Sequence, residues 1–222
     1  MASQGDEATM KSVTPGEVVD VNGDIGQHFA TTENGHIATV FGRVVTRNSE
    51  TSIVPYRQSY FPSTGDLVIG MVASVRNNMW IVDVGGPFEA ILPQSHVPWR
   101  SGYGQTSAQM PTGSILLGRI LDVDETMRCV VTMKGVGMRR LSQGVVVEVP
   151  VASIGRIIGS SGSTIKRLKE GSGCRAIVGS NGRIWIDGEL NGINWLRETI
   201  LMIAKGNDSR PIIDAQMKLA PM

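Results

Sequence analysis

The stretch GRIIGSSGSTIKRLKE, residues 155–170, decides how the last third of the chain is read. It places glycines at 155, 159 and 162, serines at 160 and 161, and then a basic run. A glycine-rich turn feeding a helix is a common phosphate cradle, because small residues admit a close backbone and a helix start offers unpaired N–H groups. Two nucleotide signatures fail on context. A P-loop has Lys directly after its last glycine, then Ser or Thr. Here Lys166 stands four residues beyond Gly162. A dinucleotide-binding turn follows a strand and precedes an acidic residue at the end of the next strand. Here VASIGRII puts apolar residues at 151, 154, 157 and 158, at helical spacing.

Working outward, GVVVEVP (144–150) reads as a strand rich in β-branched residues, closed by Pro150. STIKRLKEG is a second short helix, with Ile165 and Leu168 inward and Gly171 as its stop. CRAIVGSNGRIWIDG is a hairpin around Asn181-Gly182, and ELNGINWLRETILMIAKG is a final amphipathic helix, apolar at 193, 196, 200 and 203. The order β-α-α-β-β-α, with a Gly-x-x-Gly turn between its first two helices, is that of a KH domain, here over residues 139–206. The second glycine string, Gly179–Gly182, is flanked by strand residues and reads as a hairpin turn instead. Residues 207–222 are expected to be a tail.

In the KH reading, Gly159, Ser160, Ser161 and Gly162 form the backbone cradle for RNA. Arg156, Lys166, Arg167 and Lys169 surround it, and Ile154, Ile158 and Ile165 floor an apolar groove. The same residues also fit a plain corner between two helices with a solvated basic face. Both loop serines are neutral, so the turn itself carries no charge to grip phosphate.

The rest of the chain is β. Residues 13–64 show short β-rich runs between turn signals such as Pro15-Gly16 and Asn34-Gly35, the pattern of a small N-terminal β domain. Residues 65–138 hold five strands with one long insertion, HVPWRSGYGQTSAQMPTG, after the third. That is the outline of an OB-fold barrel. Arg76, Trp80, Arg100 and Arg119 are its candidate RNA contacts, with Phe88 and Arg128 beside them. For each aromatic, core filling is the competing role. The fold class is therefore mostly β, with an α+β C-terminal part.

Composition bounds the function. The chain has 222 residues, of which 41% are hydrophobic, which excludes disorder throughout. It has no apolar run long enough to cross a bilayer, and MASQGDEATMKSV reads as a polar tail over residues 1–12 rather than a leader. Two distant cysteines and three histidines show no metal spacing, so neither metal nor cofactor is expected. DVDET at 122–126 reads as an exposed turn. No nucleophile–base set stands at a recognisable spacing, and a nuclease would need converging carboxylates. The net charge of +1 is uneven: residues 1–64 carry 4 basic and 7 acidic side chains, residues 139–222 carry 12 and 7. An anionic partner therefore belongs with the C-terminal part.

YFPSTGDLVIGMV (60–72), WIVDVGGPFEAILP (80–93), GRIIGSSGSTIKRLK (155–169) and, above all, IVGSNGRIWIDG (177–188) occur in this order. In these the chain resembles the S1- and KH-containing cap subunits of the RNA exosome, over roughly residues 13–205. The resemblance implies a non-catalytic subunit seated on a ring of RNase PH-like proteins with other cap subunits. Single-stranded RNA would pass the barrels at the pore and be degraded 3′-to-5′ by the ring, with the N-terminal domain docked on it. The intact Gly-x-x-Gly points to an archaeal, cytoplasmic member; a eukaryotic one would be nuclear and cytoplasmic. There are departures from the family. Archaeal relatives often carry lysines in the loop, Ile81 stands where an exposed aromatic is common, and Pro93 stands where a histidine is common. A free-standing S1/KH protein of translation or RNA stability is the alternative.

Overall fold

The computed structural model describes residues 11–21, 23–47, 49–55, 59–100, 102, 104–206 and 210–221. Residues 1–10, most of the expected N-terminal tail, lie outside them. The chain divides into two compact units, Met1–Gln58 and Ser59–Met222.

The first unit holds β1 (Ser12–Val13), β2 (Asp24–Ile25), β3 (Phe29–Thr32), β4 (Gly35–Ala38), β5 (Gly42–Arg47) and β6 (Glu50–Pro55). β1, β5, β6 and β2 form one sheet in that order, and β3 and β4 form a separate hairpin. Val13, Val19, Ala38 and Ile53 make a small apolar core.

The second unit begins with β7 (Leu67–Val75), β8 (Met79–Asp83), β9 (Ala90–Pro93), β10 (Ile115–Val123) and β11 (Cys129–Thr132). β7 pairs with β8, and β8 with β9, both antiparallel. β9 meets β11 in parallel at Val130, β11 pairs with β10, and β10 returns to β7. The sheet thereby closes into the five-stranded barrel of an OB-fold. Period-two alternation fills it: Val68 and Val72 from β7, Trp80 and Val82 from β8, and Leu116 and Ile120 from β10 are fully or almost fully buried. The segment after β9 contains, among the described residues, a 3-10 turn at Gln94–His96 and a short α-helix, α1 (Thr106–Gln109).

A sixth strand, β12 (Arg139–Leu141), pairs with β10 from Leu117↔Arg139 to Ile115↔Leu141. β12 thus extends the barrel sheet, and the KH order of elements opens with β13 (Val145–Glu148). It continues through α2 (Ile154–Ile158), α3 (Ser163–Ser172), β14 (Arg175–Val178), β15 (Arg183–Asp187) and α4 (Leu190–Lys205). The sheet order is β13-β15-β14, antiparallel throughout. Ile184 and Ile186 from β15 pack against Ile157, Leu168, Leu196, Ile200 and Ile203 from the helices.

Part of the expected C-terminal tail is instead a fifth helix, α5 (Arg210–Met217), packed on α3 and α4. Ile213 is buried there, and Trp195 Nε1 donates to the Gln216 carbonyl at 3.3 Å. So short a helix is marginal alone and takes its stability from that packing.

Barrel and KH domain are joined through the turn between β14 and β15. The Ser180 N–H donates to the Leu67 carbonyl at 2.7 Å. The Asn181 side chain donates to the carbonyls of Ile69 and Val84, each at 2.9 Å. Arg183 reaches the Asp83 carbonyl and Oδ2, both at 2.7 Å, and Glu148 Oε1 at 2.9 Å. Beneath these bonds Ile69 and Leu117 of the barrel pack against Trp185 of the KH sheet. Gly179–Gly182 is thus a hairpin turn, as its flanking strands predict.

Candidate nucleic-acid interface

The loop after α2 is built by its two glycines. Gly159 takes φ 73° and ψ 176°, and its N–H closes α2 on the Gly155 carbonyl at 2.9 Å. A Cβ there would stand 2.3 Å from Thr164 Oγ1 and 2.9 Å from the Thr164 backbone nitrogen, so no side chain fits. Gly162 is left-handed, at φ 78° and ψ 12°, which favours glycine on backbone grounds alone. Between them Ser160 and Ser161 are exposed, and Ser161 is itself left-handed at φ 50°. Gly162 is the N-cap of α3 and has no side chain to satisfy the leading N–H groups of that helix. The loop therefore faces outward beside the positive end of a helix dipole.

The four basic residues around the loop are placed differently from one another. Lys166 is exposed on α3 and Lys169 is half-buried. Arg167 is exposed and pairs with Asp214 of α5 at 3.0 Å. Arg156 is half-buried and bonds to the end of α4. Its Nη1 donates to the Gly206 carbonyl at 2.6 Å and its Nη2 to the Ala204 carbonyl at 3.1 Å. The physical reason is the unpaired, partly negative carbonyl end of α4. Ile154, Ile158 and Ile165 are half-buried beside the loop, with Ile154 and Ile165 packed on the KH core.

In the barrel, Trp80 is a core residue and presents no face for stacking. It is 0% exposed, and its Nε1 donates to the carbonyls of Thr106 (3.2 Å) and Met110 (3.0 Å), pinning the insertion over the barrel. Its alternation with half-buried Ile81 was the signal for this: Trp80 shares the inward face with Val82. Arg76 and Arg100 are exposed. Arg119 is exposed too, but its guanidinium donates to the Gly65 carbonyl at the mouth of the barrel. Arg128 follows a turn held by Asp124, whose carboxylate accepts from the Thr126 hydroxyl, the Thr126 N–H and the Arg128 N–H. Those hydrogen bonds, the Thr126 hydroxyl first, hold the Asp124 carboxyl below its usual range. Asp124 of the DVDET string thus organises a turn.

On the outer barrel surface, Ile81 lies opposite Ile91, Met79 opposite Pro93, and Val130 beside Ile91. This half-buried strip is aliphatic, so it offers apolar contact in place of ring stacking. Among the described residues, no group of three or more His, Cys, Asp or Glu side chains is arranged to hold a metal ion. No described helix is long and apolar enough to cross a membrane.

An OB barrel locked to a KH domain that keeps an open glycine loop defines an S1–KH protein of the nucleic-acid-binding class. Residues 59–107 match the family model described as RRP4, S1 domain, and residues 144–192 match a KH domain model. The exosome complex component Rrp4 of Methanobrevibacter smithii is 34% identical over 192 residues, which is 86% of this chain and 64% of that protein. The Rrp4 of Thermoplasma volcanium is 31% identical over 196 residues, 88% of this chain and 83% of that protein. A crystal structure assigned provisionally to an exosome complex RNA-binding protein superposes with a TM-score of 0.67 at 26% identity. It covers 72% of this chain and 97% of that one. The chain belongs to the Rrp4 family of exosome complex components.

Proposed function

We propose that this chain is a non-catalytic, RNA-binding cap subunit of an exosome. It holds single-stranded RNA and guides 3′ ends into a ring of RNase PH-like subunits, which carry out the 3′-to-5′ degradation. The observation that carries this reading is the open Gly159–Gly162 loop on a KH domain fixed to an S1 barrel, in a chain of the Rrp4 family. Backbone phosphates would sit against the loop and the start of α3, near Lys166 and Lys169. A base would lie over Ile154, Ile158 and Ile165. Arg76 and Arg100 would hold the strand on the barrel, whose aliphatic strip gives little stacking.

Each contact is weak, because the loop is neutral and Arg156, Arg119 and Arg167 are engaged within the chain. Several copies around one pore would supply the affinity by avidity. The N-terminal unit belongs to the acidic part of the chain and would dock on the ring with other cap subunits beside it. In an archaeal cell the assembly would work in the cytoplasm.

The experiment is co-purification with ring subunits, using the full chain and a chain lacking residues 1–58. The full chain joins the ring and speeds degradation of a single-stranded RNA. The truncated chain does not join, yet keeps measurable RNA affinity. RNA binding without any association of the full chain with the ring would identify a free-standing S1/KH protein instead.

A further inference from the structure

Arg156 lies three residues before the loop and is basic, so its residue type suggests a phosphate ligand. Its placement says otherwise. Each terminal nitrogen of the guanidinium donates to a backbone carbonyl of the α4 exit, Nη1 to Gly206 at 2.6 Å and Nη2 to Ala204 at 3.1 Å. Its Nε is buried with no hydrogen-bond partner among the described residues. These contacts fix the half-buried guanidinium against the end of α4.

The helix that carries it needs such a hold. α2 has five residues, Ile154–Ile158, far below the length at which a helix persists alone. Ile157 anchors one side of it, fully buried in the KH core. Arg156 anchors the neighbouring side by tying it to the last turn of α4. The loop follows directly, because Gly159 N–H bonds to Gly155 O at 2.9 Å. A rotation of α2 therefore moves Gly159, and with it the approach to the first N–H groups of α3. An arginine suits this task better than a lysine, since its planar fork holds two carbonyls at once while an ammonium is a single point. The bond also places a cation at the negative end of α4.

We propose that Arg156 is a positioning residue for the Gly159–Gly162 RNA loop, acting through α2, and not a phosphate ligand. This rests on the loop being an RNA site, as argued above.

The two roles differ in how binding responds to salt. A phosphate ligand contributes about 0.7 to the log–log salt slope on a single strand, and a positioning residue contributes nothing. Binding of a mixed-sequence single-stranded oligoribonucleotide to the full chain is measured over a salt series. The variants are Arg156→Ala, Arg156→Lys, and the double change Ser160→Asp with Ser161→Asp. Amide resonances of Gly159 and Gly162 are recorded for each. Arg156→Ala is expected to weaken binding about fivefold, the worth of roughly one net hydrogen bond, with the wild-type slope. The two glycine resonances shift, and Arg156→Lys recovers part of the loss. A slope lowered by about 0.7 in Arg156→Ala overturns the proposal.

If the alanine variant fails to fold, the lysine variant decides. It keeps the charge, so wild-type affinity identifies a phosphate ligand. Reduced affinity with shifted glycine resonances identifies a positioning residue. If the serine double variant weakens binding and both Arg156 variants bind as wild type, the positioning role alone falls. If the serine double variant binds as wild type, the loop is not the RNA site and both readings fall.

Discussion

The side chain of Asn181 satisfies both backbone groups of Ile69: its Oδ1 accepts from the Ile69 N–H at 3.3 Å and its Nδ2 donates to the Ile69 carbonyl at 2.9 Å. A KH residue thus completes the hydrogen bonding of a barrel strand, as a neighbouring strand would. Asn181→Ala leaves the Ile69 N–H and the Val84 carbonyl buried and unpaired, and the Ile69 carbonyl with only a 3.5 Å bond from Arg183 Nη1, at an expected total cost of about 2–4 kcal/mol. Thermal unfolding of residues 59–222 should change from one shared transition to two. A single transition at the wild-type temperature would show that the turn does not couple the domains.

Asp83 gives the same junction a pH dependence. Burial pushes its carboxyl up, but the hydrogen bonds from Arg183 and the Gly85 N–H, with the guanidinium charge, outweigh that and hold it below its usual range. A carboxyl lowered on folding contributes stability that is complete above its unfolded value, about 3.9, and is lost as pH falls through the folded value. Hydrogen exchange at Ile69 and Ser180 should therefore accelerate on acidification below about pH 4. In Asp83→Asn that acid-dependent component should shrink. Identical pH curves for the two proteins would remove Asp83 from the account.

Trp80 should matter to stability and not to RNA. Trp80→Phe removes an N–H that serves two buried carbonyls and should destabilise the barrel by about 1–3 kcal/mol. RNA affinity of the folded variant should equal that of wild type. A folded Trp80→Phe chain with clearly weaker RNA binding would return the residue to the interface.

What was legible in the sequence was set by periodicity. The KH order follows from the spacing of Ile154, Ile157, Ile165, Leu168, Leu196 and Ile200, and the barrel from runs of β-branched residues bounded by turns. Short elements without their own period escaped: β12 has three residues, and α5 is held by Ile213 and the Trp195 hydrogen bond rather than by propensity. Contacts between distant residues escaped as well. The GSNG string reads as a turn from its neighbours, but nothing local says that Asn181 meets Ile69. Arg156 likewise reads as a basic residue near a phosphate loop, because its partners, Ala204 and Gly206, lie at the far end of the domain. Glycine loop geometry was the part of the site most fully encoded. Gly159 is forced by the approach of Thr164 and Gly162 by its positive φ.

The most direct test of the central claim is the salt dependence of RNA binding by the loop itself. Wild type is compared with Ser160→Asp plus Ser161→Asp and with Ser160→Lys plus Ser161→Lys, as isolated chains and in the assembled ring. All three should fold alike, since both serines are exposed. The aspartates should weaken binding. The lysines should tighten it and steepen the log–log slope by about 0.7 for each new phosphate contact. Equal affinities and equal slopes for all three proteins in both settings would contradict the account and leave the loop as a corner between two helices.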